Sequence, residues 1–251
     1  MTTIRFSGRI LPPMPDLNAS AGGKWQDDDL DYAIDVFVDI ENSVVSADCD
    51  VDEYDRSKIH RILLRTIDTA QALVDLAAFA IGGHFLVHFE AFLEPNGTIV
   101  PLKVGDADLA ALCSSFAIGT QSFADVAKIV MEERNLIPAL RDLIEATSFP
   151  RKVVPQCAKA IETLRAIMTP TGAPREQGWP LLRDNLRVDK AYLKFITDAS
   201  RAPRHGDHQV IGGLTTDEIA KRSWTIMNRF FEFRKRGSSP LPLNEFPLLG
   251  P

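Results

Sequence analysis

The chain has 251 residues, of which 45% are hydrophobic and 25% charged, and its formal net charge is −6. This composition is typical of a globular protein with a sizeable core, in one large or two small domains. The first residues lack the apolar run of a signal peptide, and the longest apolar stretches, such as residues 77–83, are too short for a membrane span. We therefore expect a cytoplasmic protein with no membrane partner.

The charge is unevenly distributed along the chain. Residues 1–110 contain 8 Lys and Arg against 19 Asp and Glu, a net charge of −11. Residues 111–200 contain 12 against 10, and residues 201–251 contain 8 against 5, which gives +2 and +3. Because an acidic surface repels polyanions, we expect RNA or a nucleotide to bind through the C-terminal part.

The first half of the chain has the alternation of strands. A short strand is predicted at residues 4–9, and residues 11–29, rich in Pro, Gly and Asp, are predicted to be a loop. Residues 32–40 alternate most clearly, and after a turn at residues 41–43 the segment 44–51 is predicted to return as a hairpin.

The period then changes to that of a helix over residues 57–81, with Gly82 and Gly83 as a stop signal. Residues 85–93 and 98–104, joined by a turn with the Asn96-Gly97 dipeptide, predict a second hairpin. We therefore expect residues 1–105 to form a small, mainly antiparallel sheet of about five strands with one long helix.

After residue 106 the strand signals stop and helical spacing recurs. The predicted helices lie at residues 109–116, 123–133, 137–146, 153–168, 179–199 and 216–236. We expect residues 106–236 to form a helical bundle and residues 237–251, with four prolines, a non-helical tail. The overall fold class predicted is α+β.

The sequence indicates no metal or cofactor. The cysteines Cys49, Cys113 and Cys157 are too far apart to indicate a disulfide framework or a zinc pair. His84, His88 and Glu90 alternate on one predicted strand, but residues four apart on a strand lie about 13 Å apart, too far to share a metal ion. No phosphate loop or dinucleotide glycine fingerprint is present, so we expect no cofactor.

Reactive side chains concentrate at residues 201–208, where two arginines and two of the five histidines lie within eight positions. Arginine can hold a phosphate and histidine can transfer a proton, so this cluster is the candidate site. It falls between two predicted helices, where a bundle can bring such residues together. Its candidate catalytic residues are Arg201, His205 and His208, and its candidate substrate-binding residues are Arg204 and Asp207.

Arg201 and His208, with six residues between them in a helical region, resemble the motif of the HEPN superfamily. Its members are small helical bundles with an arginine, four to six residues and a histidine; many are metal-independent ribonucleases, and others bind nucleotides or are inactive. The resemblance covers residues 107–236 and implies a bacterial stress or defence protein. It also implies that His208, with His205, acts as general base or acid on a ribose 2′-hydroxyl, while Arg201, with Arg204, stabilises the charge growing on the phosphate.

Two alternatives stay open. Arg201 and Arg204 can instead pair with Asp198 and Asp207 or with helix carbonyls, in a purely structural role. The protein is then a non-enzymatic interaction module that binds a protein partner or a second copy of itself.

The last helix mixes aromatic residues with cations, as nucleic-acid binders do. Trp224, Met227 and Phe231 also fit a core-facing stripe, however, and core packing is the favoured interpretation of these residues.

Overall fold

The structure is a computed structural model that describes residues 1–14, 16–26, 30, 33–102, 105–148, 152–201 and 213–250. The chain divides into two compact units, a strand-rich domain at Met1–Val104 and a helical domain at Gly105–Pro251. An antiparallel sheet in the first and helices in the second confirm the predicted α+β class.

The strand-rich domain is built on one six-stranded antiparallel sheet with the order β2-β3-β4-β1-β5-β6. Its strands are β1 (Thr2–Leu11), β2 (Asn18–Gln26), β3 (Ala33–Glu41), β4 (Val44–Val51), β5 (Leu86–Leu93) and β6 (Ile99–Pro101). Side chains alternate between the two faces of a strand, so every second residue points to the same face. In β1, Ile4, Phe6 and Ile10 lie on the inner face and are fully buried. The opposite face carries mostly polar side chains, so the core of this domain lies on one side of the sheet.

Helix α1 (Ile59–Ile81) covers the apolar face of the sheet and follows a 3₁₀ turn at Arg56–Lys58. Ile62, Ala70 and Val74 are buried on its inner stripe, four or eight residues apart. The helix ends at Gly82, whose φ of 68° is left-handed, as the predicted stop signal requires. The predicted helix at residues 57–81 is therefore confirmed apart from its first turn.

Strand β2 corrects the prediction of a loop over residues 11–29. All nine of its residues pair with β3, so the sheet has six strands rather than about five. Its inward positions, Ala19, Ala21, Gly23 and Trp25, alternate with exposed positions, but three of these four residues are small. A strand at the edge of a sheet buries little apolar surface, and its sequence therefore lacks the large apolar residues that mark a strand.

The helical domain packs its helices around α5 and the last helix. The helices are α2 (Ala107–Ala111), α3 (Gln121–Glu132), α4 (Leu136–Ser148), α5 (Val153–Met168), α6 (Gly178–Leu186), α7 (Lys190–Ala199) and α8 (Gly213–Lys235). Ile161 and Leu164 of α5 and Ile226 and Phe230 of α8 are fully buried in one apolar cluster. The bundle thus has a continuous core of its own.

The prediction of a single helix at residues 179–199 is wrong, because the chain forms α6 and α7 with a break between them. Arg187 takes a left-handed conformation with a φ of 55°, and the Asp189 carboxylate caps α7 by accepting a hydrogen bond from the Ala191 N–H. The segment after α8 packs against this break. Val188 forms a parallel bridge with Leu249, and the Arg187 side chain donates to the Leu241 carbonyl at 2.6 Å.

Segment 237–250 is therefore non-helical, as predicted, but it is packed on the bundle, with Leu241 fully buried. Among the described helices, none combines the length and the apolar character that crossing a bilayer requires.

Candidate functional site

Arg201 is the member of the predicted cluster that the structure describes. Its side chain is 76% exposed just beyond the end of α7, and its Nη2 lies 3.1 Å from Oδ1 of Asp198. This is the ion pair of the structural alternative, but both partners remain exposed, so the pair is weak and solvent can reach the guanidinium. Arg204, His205, Asp207 and His208 lie outside the described residues.

The outer face of α7 leads to Arg201. Lys194, Phe195, Asp198 and Arg201 are all exposed, and we call this set the α7 surface. Lys194, Asp198 and Arg201 are spaced i, i+4, i+7 and therefore share one side of a helical segment. The surface combines two cations and an aromatic ring with a single carboxylate.

Arg222 of α8 joins the α7 surface by stacking. Its guanidinium carbon lies 4.2 Å from the ring centroid of Phe195 and 4.6 Å from that of Tyr192, while Nε pairs with Glu218 at 2.6 Å. Burial raises the pKa of the Tyr192 hydroxyl, so this phenol stays protonated at neutral pH. Phe195 keeps 38% of its surface exposed, so part of this residue is accessible from solvent.

The aromatic residues of α8 form part of the core, as the favoured interpretation predicted. Phe230 is fully buried, and Phe231 and Phe233 are at least 94% buried. Cations of this helix make contacts within the domain. Lys221 pairs with Asp108, and Lys235 donates to the Ser115 carbonyl. The composition of α8 is compatible with nucleic-acid binding and with core packing. These contacts show that its aromatic residues and cations have structural roles.

Arg229 is a buried arginine that the sequence did not single out. Its guanidinium donates to the backbone carbonyls of Leu186, Arg187 and Pro247 at 2.8–3.0 Å. Burial lowers the pKa of the guanidinium, although an arginine remains charged. Because carbonyls at a helix C-terminus have no intrahelical donor, Arg229 satisfies the end of α6 and holds the C-terminal segment in place.

A second candidate site is an apolar pocket inside the helical domain. Its lining residues come from the segment after α2, from α4 and from α8: Cys113, Phe116, Leu140, Leu143, Ile144, Trp224, Met227, Asn228 and Phe231. The cavity measures about 130 Å³. Trp224, Met227 and Phe231 are the stripe assigned to core packing. A core stripe and a pocket wall have the same sequence pattern, so the periodicity of α8 does not predict the pocket.

The described residues on the open face of the sheet form no metal centre. His84 lies before β5 rather than within it, and Glu90 pairs with Arg9 at 2.6 Å. Across the described residues, no three His, Cys, Asp or Glu side chains are placed to hold a metal ion.

Two of the three thiols are buried. Burial raises the pKa of Cys49 to about 12 and that of Cys157 to about 11, against opposing hydrogen bonds from Thr66 and Ser223. Cys113, on the wall of the pocket, is partly exposed. Cys113 is therefore the thiol that solvent-borne reagents can reach.

We expect the protein to lose stability in alkali through these thiols. An unfolded thiol titrates near pH 9 and the folded ones near 11 and 12, so their stabilising contribution is complete below pH 9. It is lost as the pH rises from there through the folded values. Urea unfolding at pH 8 and pH 10.5 checks this, and Cys49→Ala should reduce the difference between the two. An equal difference in Cys49→Ala would show that other groups cause the loss.

The fold and sites define a two-domain α+β protein whose helical domain carries both candidate sites. The chain matches family models described as the N-terminal domain and the C-terminal domain of a domain of unknown function (DUF8168), at residues 4–102 and 123–235. These matches follow the order of the two structural units. No curated protein and no solved structure matches the chain significantly.

Proposed function

We propose that the protein is a metal-independent ribonuclease or RNA-binding protein that acts at the α7 surface and the segment following it. The observation that supports this is the position of Arg201, 76% exposed and held by one exposed carboxylate. A phosphate group competes well for such a guanidinium, because arginine binds phosphate through two parallel N–H···O bonds.

The rest of the α7 surface suits a single-stranded polyanion. Lys194 adds a second cation, and the exposed ring of Phe195, backed by Arg222, offers a face on which a base can stack. Acidic side chains outnumber basic ones in the strand-rich domain and basic ones are in excess in the helical domain, so RNA meets the least repulsion at the helical domain.

The roles follow from the chemistry of the side chains. His208 accepts the proton of a ribose 2′-hydroxyl, whose oxygen attacks the adjacent phosphorus, and the bond to the 5′-oxygen breaks. His205 supplies the proton for the leaving oxygen. Arg201 and Arg204 stabilise the negative charge that builds up on the phosphate oxygens.

RNA cleavage by the full-length protein in EDTA tests the proposal. We expect Arg201→Ala to reduce the rate about 10²–10³-fold and His208→Ala about 10²–10⁴-fold. Arg141→Ala, which removes an exposed arginine on α4, is the matched control and should cleave as the parent does. Absence of cleavage by the parent, or unchanged cleavage in both variants, would rule out the ribonuclease.

RNA affinity tests the α7 surface separately from catalysis. Phe195→Ala should weaken binding of a single-stranded oligonucleotide by about 1–3 kcal/mol, the usual contribution of one base stacked on an aromatic ring. Phe37→Ala is the control, because Phe37 is 52% exposed on β3 of the acidic domain. Fluorescence anisotropy at fixed salt measures both. Equal affinities for the two variants would exclude base stacking on Phe195.

The exposed apolar residues of the helical domain favour a second candidate, the non-enzymatic interaction module. Phe123 and Ile144 are 45% and 57% exposed, and Phe123 contacts the pocket residue Phe116 with ring centroids 5.8 Å apart. In this case the partner is a second copy of the chain. Sedimentation of the parent and of Ile144→Lys tests it, since a dimer that buries this surface should dissociate in the variant.

A further inference from the structure

The apolar pocket is enclosed mainly by side chains that belong to the domain core. Leu143, Met227 and Phe231 are at least 96% buried, and Phe116 meets Phe231 edge to face with ring centroids 5.8 Å apart. Trp224 supplies a third aromatic wall. One wall of the pocket is therefore formed by the core of the bundle, while Ile144, 57% exposed, lies at its surface.

Its lining offers almost nothing to a polar occupant. Within the described part of the chain, Asn228 is the one lining residue with a strongly polar side chain. Its Oδ1 already accepts hydrogen bonds from the N–H groups of Ser114 and Ser115 at 3.0 and 2.9 Å. Its Nδ2 donates one hydrogen to the Ser114 hydroxyl at 2.9 Å. Since an amide nitrogen carries two hydrogens, a single N–H is left for an occupant.

The polarity and size of the pocket together define what fits. A buried water needs about two to four polar partners, so water is poorly held here. Among the described residues, no Asp, Glu, Lys or Arg lines the cavity, so a charged ligand would lose its hydration without compensation. The volume of about 130 Å³ is close to the roughly 150 Å³ of an apolar protein cavity that binds benzene.

We infer that this pocket is a binding site for a small neutral aromatic molecule, one ring in size, with at most one hydrogen-bond acceptor. The ring packs between Phe116, Trp224 and Phe231, and its acceptor meets the remaining N–H of Asn228. A single ring matches both the volume of about 130 Å³ and the apolar lining. This site is independent of the α7 surface and of RNA cleavage.

The partly exposed thiol of Cys113 provides the measurement. Benzene, phenol and indole are each added to the full-length protein, and carbamidomethylation of Cys113 by iodoacetamide is followed by peptide mass spectrometry. We expect at least one ring to slow the reaction about tenfold when its concentration is about ten times its Kd. Benzoate, which has the same ring with a charge, should give no protection.

A filled pocket is the second test. Leu140→Trp places an indole in the cavity and should abolish the rise in Tm of about 2–4 °C that a bound ring gives the parent. Ile118→Trp, 89% exposed and outside the lining, should keep it. The proposal would be overturned if none of the three rings slowed the alkylation of Cys113 or raised the Tm. It would also be overturned if only a peptide with an aromatic residue protected Cys113. The Cys113 measurement on the parent stands even if Leu140→Trp does not fold.

Discussion

Arg229→Met is expected to lower the free energy of unfolding of the helical domain by about 3 kcal/mol. The substitution keeps most of the apolar side chain but removes every donor to the carbonyls of Leu186, Arg187 and Pro247. Each buried carbonyl left without a partner costs about 1–3 kcal/mol, while the relief of burying a charge offsets part of the total.

Urea unfolding in a Trp25→Phe background measures this, because the remaining tryptophans, Trp179 and Trp224, both lie in the helical domain. Arg236→Met is the matched control. Arg236 also lies near the end of α8 and near Phe246, but it pairs with Glu245 at the surface, so its loss should matter far less. Equal stability of the two variants would show that other hydrogen-bond donors, such as water, replace Arg229 at the three carbonyls.

Gly8→Ala is expected to destabilise the strand-rich domain by about 3 kcal/mol, at the upper end of the usual cost of overpacking. A Cβ at this position would lie 2.1 Å from the carbonyl oxygen of His88 and 2.6 Å from Cα of Phe89. Both are backbone atoms of β5, at the point where the β1–β5 register shifts, so neither can move without breaking the pairing of the two strands.

Gly23→Ala is the control for this substitution. Gly23 also lies in a strand, but the nearest atom to its added Cβ is Nε1 of Trp25 at 3.7 Å, an ordinary contact. We expect its stability to equal that of the parent or exceed it slightly, because alanine loses less backbone freedom on folding than glycine. Hydrogen exchange of the β5 amides should accelerate in Gly8→Ala alone; slow exchange there would show that the bulge accommodates a methyl group.

Periodic burial explains which elements the sequence predicts well. Helix α1 buries a regular stripe and β3 alternates large apolar residues with polar ones, so a periodicity of 3.6 or 2 residues stands out. Strand β2 has the same alternation but small inward residues. Because pattern recognition weighs apolar size, an edge strand of this kind resembles a loop.

Other features depend on contacts between residues far apart in the chain. The break at Arg187 carries no glycine or proline and is held by Leu241 and Leu249, more than 50 residues away. The pocket is a gap left by packing, which no local pattern records. The cluster at residues 201–208 shows the reverse situation: its composition identifies it as a candidate site, but composition says nothing about the distances between its members.

The contacts of segment 237–250 also affect the order of events during synthesis. Every strand of the sheet is present by Pro101, so the strand-rich domain can fold while the ribosome is still translating the helices. The helical domain has to wait, because the carbonyl of Pro247 and the backbone of Leu249 complete contacts of Arg229 and Val188. At about 5–20 residues per second, translation of the remaining roughly 150 residues takes about 8–30 seconds, and during this time the apolar helices of the incomplete bundle are open to chaperones.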